Sequence, residues 1–148
     1  MITLRPTEPG DGESLGRLFT ASRELLTFLP RLHSPQEDVA FITDRILPAY
    51  RVIVAEAEGR VAGYLAEAPG WIEQLYVQPV MLRRGVGSAL LVDAQRRHST
   101  LELWCFAENA RGRAFYERHG FEVVEETDGS GNDEHTPDLR YRWASRAG

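Results

Sequence analysis

The sequence predicts an α/β fold of the α+β type, with a mixed central sheet of about six to seven strands and helices on both faces. The apolar patterns follow the order β-α-α-β-β-β-α-β-α-β-β, in which strands outnumber helices. A strict alternation of strands and helices is missing, and this excludes a doubly wound nucleotide-binding fold. The chain has 148 residues, 43% of them hydrophobic, which fits a single domain over residues 1–148.

The N-terminal third combines one strand pattern with two helix patterns. The segment "ITLRP" predicts a first strand, and "GESLGRLFTASRELLTFL" predicts a helix because its leucines and phenylalanines follow mostly helical spacing. A second helix begins in "SPQEDVAFITDRIL". Ser34 suits its N-cap, Pro35 its first position and Glu37 its third, where the side chain completes a capping box.

The middle of the chain predicts three strands. The segment "RVIVAEAEGRVAGYLAEA" is typical of a β-hairpin, in which Val52 and Val54 share one face and Glu58-Gly59 forms the turn. The segment "WIEQLYVQP" predicts a further strand, which Pro79 ends because proline cannot donate a ladder hydrogen bond.

The last part predicts two helices and three strands. Gly85 opens the helix "VGSALLVDAQRR", and "TLELWCF" predicts a strand by its alternating apolar residues. The helix "NARGRAFYERHG" begins after an Asn109 cap and ends before Gly120. The strands "FEVVEET" and "LRYRWA" follow, separated by the acidic loop "DGSGNDEHTPD".

Composition excludes several classes of function. The net charge is -5 and the 17 basic residues, all arginine, are scattered, which argues against a nucleic-acid partner. No apolar stretch is long enough to span a membrane and no secretory signal pattern is visible, so a cytoplasmic protein is expected. Cys105 is the only cysteine, and no Cys/His spacing matches a metal site.

The segment "LRRGVGSALL" combines two glycines and two arginines at the start of a helix. The free N–H groups of a helix N-terminus bind phosphate, and Arg83 and Arg84 add cations beside it. Neither a P-loop nor a G-x-G-x-x-G fingerprint is present, because Leu90 stands where the third glycine would be. A plain strand-to-helix turn without a ligand remains the alternative.

The succession "IEQLYVQP…RRGVGSALL…NARGRAFYERHGF" resembles the GCN5-related N-acetyltransferase (GNAT) superfamily, most strongly from Trp71 to Val124. The resemblance implies a Gln/Arg-x-x-Gly-x-Gly/Ala turn that binds the pyrophosphate of acetyl-CoA. Leu82 replaces the usual Gln or Arg. The cofactor-binding residues it implies are Leu75, Tyr76, Val77, Arg83, Arg84, Gly85, Val86, Gly87, Ser88, Asn109 and Tyr116.

The resemblance also implies roles in acetyl transfer. Glu73 is the candidate general base, and strand alternation places it on the face of Leu75 unless a β-bulge intervenes. Backbone N–H groups near Leu75 would hold the oxyanion, and Val77 would pair with the pantetheine arm. Tyr116 is the candidate donor to the departing thiolate, with the adjacent Phe115 expected in the core instead. A solvated Glu73 and a core Tyr116 remain the alternatives.

Two further residues have structural interpretations beside the chemical ones. Asn109 matches the family asparagine that bonds the cofactor arm, but an asparagine before a helix is also a good N-cap. Cys105 lies in mid-strand without a neighbouring histidine, so a small buried residue is expected rather than a nucleophile.

The acceptor side is expected at the first two helices and the final hairpin, because GNAT enzymes shape the pocket there. The candidate residues are Phe28, Leu29, His33 and Glu134. Carboxylates in the loop before the last strand, Asp133 among them, would attract a cationic amine, or would only keep the hairpin soluble.

The resemblance therefore implies an acetyl-CoA-dependent N-acetyltransferase without a metal. Its acceptor is expected to be a primary amine of a small molecule or peptide, which attacks the thioester directly. A homodimer is left open. Two alternatives stay open as well: a non-catalytic acyl-CoA-binding or sensor domain, and transfer of a longer acyl group.

Overall fold

The computed structural model describes residues 1–146, and its strands form one seven-stranded mixed sheet. Ala147 and Gly148, which the single domain predicted over residues 1–148 includes, lie outside the described residues. The sheet order is β1-β2-β3-β4-β5-β7-β6. The strands are β1 (Ile2–Pro6), β2 (Arg51–Ala57), β3 (Arg60–Ala68), β4 (Trp71–Val77), β5 (Thr100–Phe106), β6 (Glu122–Thr127) and β7 (Asp138–Ala144).

Helices cover both faces of this sheet, as the sequence predicts. On one face α1 and the segment after α2 enclose a core with Leu15, Leu18 and Ile42, and on the other α4 contributes Leu90 and Leu91. The helices are α1 (Asp11–Glu24), α2 (Pro35–Phe41), α3 (Leu47–Ala49), α4 (Val86–Arg97) and α5 (Ala110–Arg118). A π-helical turn (Ile42–Ile46) joins α2 to α3, and a 3-10 turn (Pro79–Met81) precedes α4.

The start of α2 agrees with the sequence prediction, whereas the end of α1 does not. The capping box of α2 is present, since Ser34 Oγ accepts from the Glu37 N–H at 3.1 Å and Glu37 accepts from the Ser34 N–H at 2.9 Å. The first helix was expected to continue to Leu29 but ends at Glu24. Residues 25–34 instead form a connection across the end of the sheet, with Leu25 half exposed.

Two irregularities of β4 shape the functional region. The register with β3 shifts between Ala66 and Glu67, whose partners are Gln74 and Ile72, so Glu73 is the extra residue of a β-bulge. On its other edge β4 runs parallel to β5, and their register contains one pair, Trp71 with Glu102. The two strands therefore separate beyond their first residues.

Candidate active site

The separation of β4 from β5 opens a cavity of about 450 Å³, here called the strand cleft. Its walls come from β4, the first turns of α4 and α5, and the connection after α1. Six of the residues predicted to bind the cofactor line it: Leu75, Tyr76, Val77, Gly87, Asn109 and Tyr116. The sheet topology thus brings together residues that are up to about forty positions apart in the sequence.

The backbone of β4 presents hydrogen-bonding groups to the strand cleft. The Gln78 N–H donates to Ala62 O at 2.8 Å, and Tyr76 pairs with Tyr64 in the same ladder. Hydrogen-bonded positions alternate in an antiparallel ladder, so Leu75 and Val77 direct their N–H and C=O groups away from β3. The Val77 carbonyl is already engaged, because Ser22 Oγ donates to it at 2.9 Å.

The N-terminus of α4 differs from that of α5. Asn109 Oδ1 accepts from the Gly112 N–H at 3.0 Å and caps α5, as the sequence predicts. Gly85, the N-cap of α4, has a φ of 85° and supplies no side chain, so no side-chain cap satisfies the first-turn N–H groups of this helix in the described chain. Arg83 also adopts a left-handed φ of 67°, so the backbone turns sharply just before α4.

The other residues predicted to bind the pyrophosphate at the α4 turn differ in their exposure and contacts. Arg83 and Arg84 are exposed, and Arg84 lies 3.4 Å from Glu58 of the β2–β3 turn. Val86 is 1% exposed and packs in the core, so only its backbone faces outward. The Ser88 hydroxyl contacts His119 Nε2 at 3.1 Å. Only the backbone of Val86 and Ser88 is therefore suited to an anion, whereas their side chains stabilise the fold.

Tyr116 lies on α5 with its ring in the strand cleft. Its ring packs edge-on against Phe115 and Phe121, and its hydroxyl has no hydrogen-bond partner within residues 1–146. Burial, and then the neighbouring Cys105 and Tyr76, raise the pKa of Tyr116 well above its usual range. The phenol is therefore protonated at neutral pH and can donate a hydrogen bond.

The expected division between Phe115 and Tyr116 is wrong. Both rings are half-buried, both pack against the same core and both line the strand cleft. A methyl group added at Gly87 would lie 3.3 Å from the Phe115 ring. Phe115 therefore sets the width of the cleft beside α4, because it packs across from Gly87.

A second cavity, of about 870 Å³, lies between α1, α2 and the sheet and is here called the helix cleft. Leu29, His33 and Glu134 line it, as the acceptor prediction requires, with His33 exposed at the rim. Phe28 does not line this cavity. It lines the strand cleft, and the centre of its ring lies 6.0 Å from that of Phe106. Three residues line both cavities, which therefore adjoin: Leu26, Thr27 and Tyr76.

The β-bulge moves Glu73 out of the strand cleft. Glu73 lines the helix cleft instead, exposed, with Trp71 Nε1 donating to its carboxylate at 2.8 Å. The extra residue breaks the alternation that would have placed Glu73 beside Leu75. The Glu73 carboxylate thus lies in the helix cleft, whereas Leu75 lies in the strand cleft.

The acidic loop before β7 is largely engaged within the fold. Glu134 forms an ion pair with Arg23 at 2.8 Å, although 111 positions separate them. Asp128 accepts from the Ser130 N–H, and Asp138 accepts from Thr127 and Asn132. Asp133 is exposed and forms no ion pair within 4.0 Å among residues 1–146. Among the loop acids named in the prediction, only Glu134 forms an ion pair within residues 1–146, and Asp128 and Asp133 are exposed.

The sequence prediction missed the polar floor of the helix cleft. Thr20 Oγ1 donates to the Asp38 carboxylate at 2.6 Å, and the Tyr64 hydroxyl donates to the side-chain oxygen Oε1 of Gln74 at 2.7 Å. Asp38 is 9% exposed and Gln74 is 8% exposed. Their spacing in the sequence carries no signal, because they converge only when α1 and α2 pack onto the sheet.

Arg23 is a further lining residue that the sequence prediction missed. Its guanidinium lies 5.4 Å from the centre of the Phe19 ring and 5.9 Å from that of Phe106. Together with the Glu134 ion pair, these contacts hold the loop before β7 against α1. Arg23 is thus neutralised inside the helix cleft.

Other reactive groups are few in the described chain. Cys105 is buried, as predicted, and burial raises the pKa of its thiol to about 12, so it is not a nucleophile at neutral pH. Within residues 1–146, no group of three or more His, Cys, Asp or Glu side chains could hold a metal ion. None of the helices in that range combines the length and apolarity needed to cross a membrane.

Both the sequence and the fold are similar to those of known proteins. A family model described as an acetyltransferase (GNAT) domain matches residues 48–123, which include β4, the α4 turn and α5. The chain belongs to the GNAT family. The family model is that of an acetyltransferase domain, and curated relatives of this chain are named N-acetyltransferases.

One curated relative is similar in sequence, and solved structures share the fold. The peptidyl-lysine N-acetyltransferase YiaC of Escherichia coli K12 is 30% identical over 88 residues, which are 59% of this chain and 60% of YiaC. The solution structure of YjaB from Escherichia coli covers 97% of both chains with a TM-score of 0.80 at 21% identity. PaiA N-acetyltransferase from Thermoplasma acidophilum, solved with coenzyme A, covers 98% of this chain and 99% of its own, with a TM-score of 0.77 at 19% identity.

Proposed function

We propose that this protein transfers the acetyl group of acetyl-CoA to a primary amine by direct attack, without an acyl-enzyme intermediate. The observation that carries the proposal is that the strand cleft and the helix cleft adjoin at Leu26, Thr27 and Tyr76. An amine in one cavity can therefore reach a thioester in the other. The buried Cys105 thiol, with its raised pKa, is unsuited to carry the acyl group between them.

The donor side of the proposal uses backbone groups and Tyr116. The uncapped N–H groups at the start of α4 receive the pyrophosphate, with Arg83 and Arg84 beside it. The Leu75 N–H, directed away from β3, stabilises the oxyanion, and the Val77 N–H and the Asn109 side chain hold the pantetheine arm. The Tyr116 hydroxyl donates a hydrogen bond to the departing thiolate.

The acceptor side must supply a neutral amine. An amine with a pKa near 10.4 is neutral in only about one part in 2,500 at pH 7, a deficit of roughly 4.6 kcal/mol. Glu73 is the general base in this proposal, because its exposed carboxylate lines the helix cleft and can accept a proton through water. The nitrogen forms the amide bond, the carbon–sulfur bond breaks, and the proton leaves through Glu73.

A thiol-release assay with acetyl-CoA and a panel of primary amines tests this function. The wild-type protein should release coenzyme A only when an amine is present. Glu73→Gln should lower kcat/KM at pH 7 by about 10²- to 10⁴-fold. The loss should shrink as the pH approaches the pKa of the amine, because the amine then loses its proton unaided.

Two results would contradict the proposal. Absence of amine-dependent thiol release across the whole panel would refute the transferase function. A Glu73→Gln variant with wild-type kcat/KM at every pH would leave the function intact but remove Glu73 as the base.

A further inference from the structure

Asp38 is a buried acid without a cationic partner. Three acids are buried in the described chain, and the two others are paired with arginine: Asp11 with Arg5 at 2.9 Å, and Glu67 with Arg97 at 2.6 Å. Asp38 receives one hydrogen bond, from Thr20, and no arginine or histidine of residues 1–146 lies within ion-pair distance. Buried charges in proteins are normally paired, so this carboxylate stands out.

The free oxygen of Asp38 can be reached from the helix cleft. Thr20 bonds to Oδ2, and Oδ1 has no partner in the described chain. No fully buried side-chain oxygen or nitrogen in that part of the chain lacks a hydrogen bond, so Oδ1 retains accessible surface. Asp38 lines the helix cleft, the cavity in which the amine is proposed to bind, so a ligand there can approach this side chain.

The cations around this cavity do not compensate Asp38. Arg23 is paired with Glu134 at 2.8 Å, and Arg31 is paired with Glu24 at 2.6 Å. Arg45 is exposed at the rim. The cavity therefore offers a buried negative group that the protein itself leaves unmatched.

Asp38 and the exposed Glu73 line the same cavity, and part of its wall is apolar. The Phe19 and Phe41 rings, 6.0 Å apart, line the cavity together with Leu29. A methylene chain suits such walls, and a cation suits each acidic end. An alkyl chain with an amine at both ends matches this arrangement of groups.

We propose that Asp38 binds the second ammonium group of the acceptor, so that the preferred acceptors are α,ω-diamines. This inference rests on the proposed acetyl transfer and names its substrate class. One amine of the diamine loses a proton and takes the acetyl group, while the other stays protonated against Asp38. Release of the product leaves Asp38 unchanged.

Asp38 also has a structural role that the experiment must separate from binding. Its bond to Thr20 joins α2 to α1, and a carboxylate in the first turn of α2 suits the helix dipole. If Asp38 served only the fold, its substitution would affect all amines alike. If it binds the second ammonium, only diamines should be affected.

The test compares α,ω-diaminoalkanes of increasing chain length with monoalkylamines of matched length. For the wild-type protein, kcat/KM from thiol release should favour the best diamine by about 10- to 100-fold, the size expected for a charge-assisted hydrogen bond. Asp38→Asn keeps the bond from Thr20 and should remove this preference, so that the ratio of diamine to monoamine kcat/KM falls to about one. Asp44→Asn, at an exposed acid of the same cavity, is the matched control and should keep the preference.

Calorimetric titration of the same amines into the protein supplies a readout besides activity. Diamines should bind wild type more tightly than monoamines, and Asp38→Asn should abolish the difference. Equal treatment of diamines and monoamines by the wild-type protein would overturn the inference, whether or not the variant folds. An equal loss for both amine classes in a folded Asp38→Asn variant would overturn it too. Transfer to monoamines without diamine preference would leave the proposed function standing, whereas no transfer to any amine would refute that function.

Discussion

Tyr116 lines the strand cleft and its hydroxyl has no hydrogen-bond partner within residues 1–146, whereas the hydroxyl of the nearby Tyr141 has two. Tyr141 donates to Glu117 at 2.6 Å and accepts from Arg113 at 3.2 Å. The two rings lie 6.1 Å apart, so they differ in contacts rather than in location. A buried phenol with an unused donor is suited to a ligand, and one with two partners is suited to the fold.

Replacing Tyr116 with phenylalanine should lower kcat by about 10- to 1,000-fold, because it removes one donor to the thiolate. Affinity for acetyl-CoA, measured by calorimetry, should barely change. Since burial raises the pKa of Tyr116, the phenol stays protonated to higher pH than usual. The alkaline side of the kcat profile should therefore keep its shape in Tyr116→Phe.

Tyr141→Phe is the control for this substitution. It should lower stability through the lost bond to Glu117 while kcat stays near that of the wild type. A Tyr116→Phe variant within about twofold of the wild-type kcat, with chemistry rate-limiting, would make Tyr116 a packing residue.

At the scale of elements, the two helices that border the strand cleft begin differently. Asn109 satisfies the start of α5, whereas α4 begins at a left-handed glycine and its first-turn N–H groups lack a side-chain cap in the described chain. The helix dipole adds partial positive charge at the same place. The N-terminus of α4 is therefore suited to bind an anion, whereas the first turn of α5 is already capped by Asn109.

Replacing Gly87 with glutamate should abolish acetyl-CoA binding in a folded protein. Its side chain would bring bulk and negative charge to the first turn of α4, where even a methyl group would lie 3.3 Å from the Phe115 ring. Calorimetry measures the affinity, and circular dichroism checks the fold.

Gly131→Glu makes the same chemical change where no atom would lie within 4 Å of an added methyl group. This control should keep wild-type affinity for acetyl-CoA. Unchanged affinity in a folded Gly87→Glu variant would reject the phosphate cradle at α4.

At the scale of the whole molecule, one buried ion cluster ties the sheet to α4. Glu67 of β3 is 3% exposed and bonds both terminal nitrogens of Arg97 at 2.6 Å, and it meets His98 at 2.6 Å. Burial alone would raise the pKa of Glu67, but the bonds from Arg97 and His98 outweigh it and the pKa is lowered. The cluster adjoins the register shift that produces the Glu73 bulge.

Replacing Glu67 with glutamine should lower the free energy of unfolding at pH 7 by about 1–3 kcal/mol, since an amide cannot accept all three bonds. A lowered pKa in the folded state means that Glu67 stabilises the protein above its unfolded pKa of about 4.3. The contribution is lost as the pH falls through the folded value. The free energies of unfolding of the two proteins should therefore begin to converge as the pH falls below about 4.3.

Asp93→Asn provides the comparison, because Asp93 also bonds Arg97 but is about a third exposed. Its effect should stay near 0.5 kcal/mol, as for other exposed helix pairs. A constant difference between wild type and Glu67→Gln from pH 7 to pH 3 would contradict the linkage.

Local signals in the sequence were sufficient for the order of elements. The capping box at Ser34, the turn at Glu58-Gly59 and the cap at Asn109 each depend on residues a few positions apart, and all are present. The resemblance to the GNAT family likewise rests on a short succession of motifs, and the family match covers the same segment. These features were predictable because their physical causes lie within one turn or one strand.

The sequence by itself thus determined the fold class, the family and the residues around the α4 turn. Only the tertiary structure decided which cavity each side chain enters. The register shift between β3 and β4 places Glu73 in the helix cleft rather than the strand cleft. Glu134 is paired with Arg23, and Asp38 is buried without an ion-pair partner within residues 1–146. Each outcome depends on contacts between distant segments, which neither periodicity nor local propensity encodes.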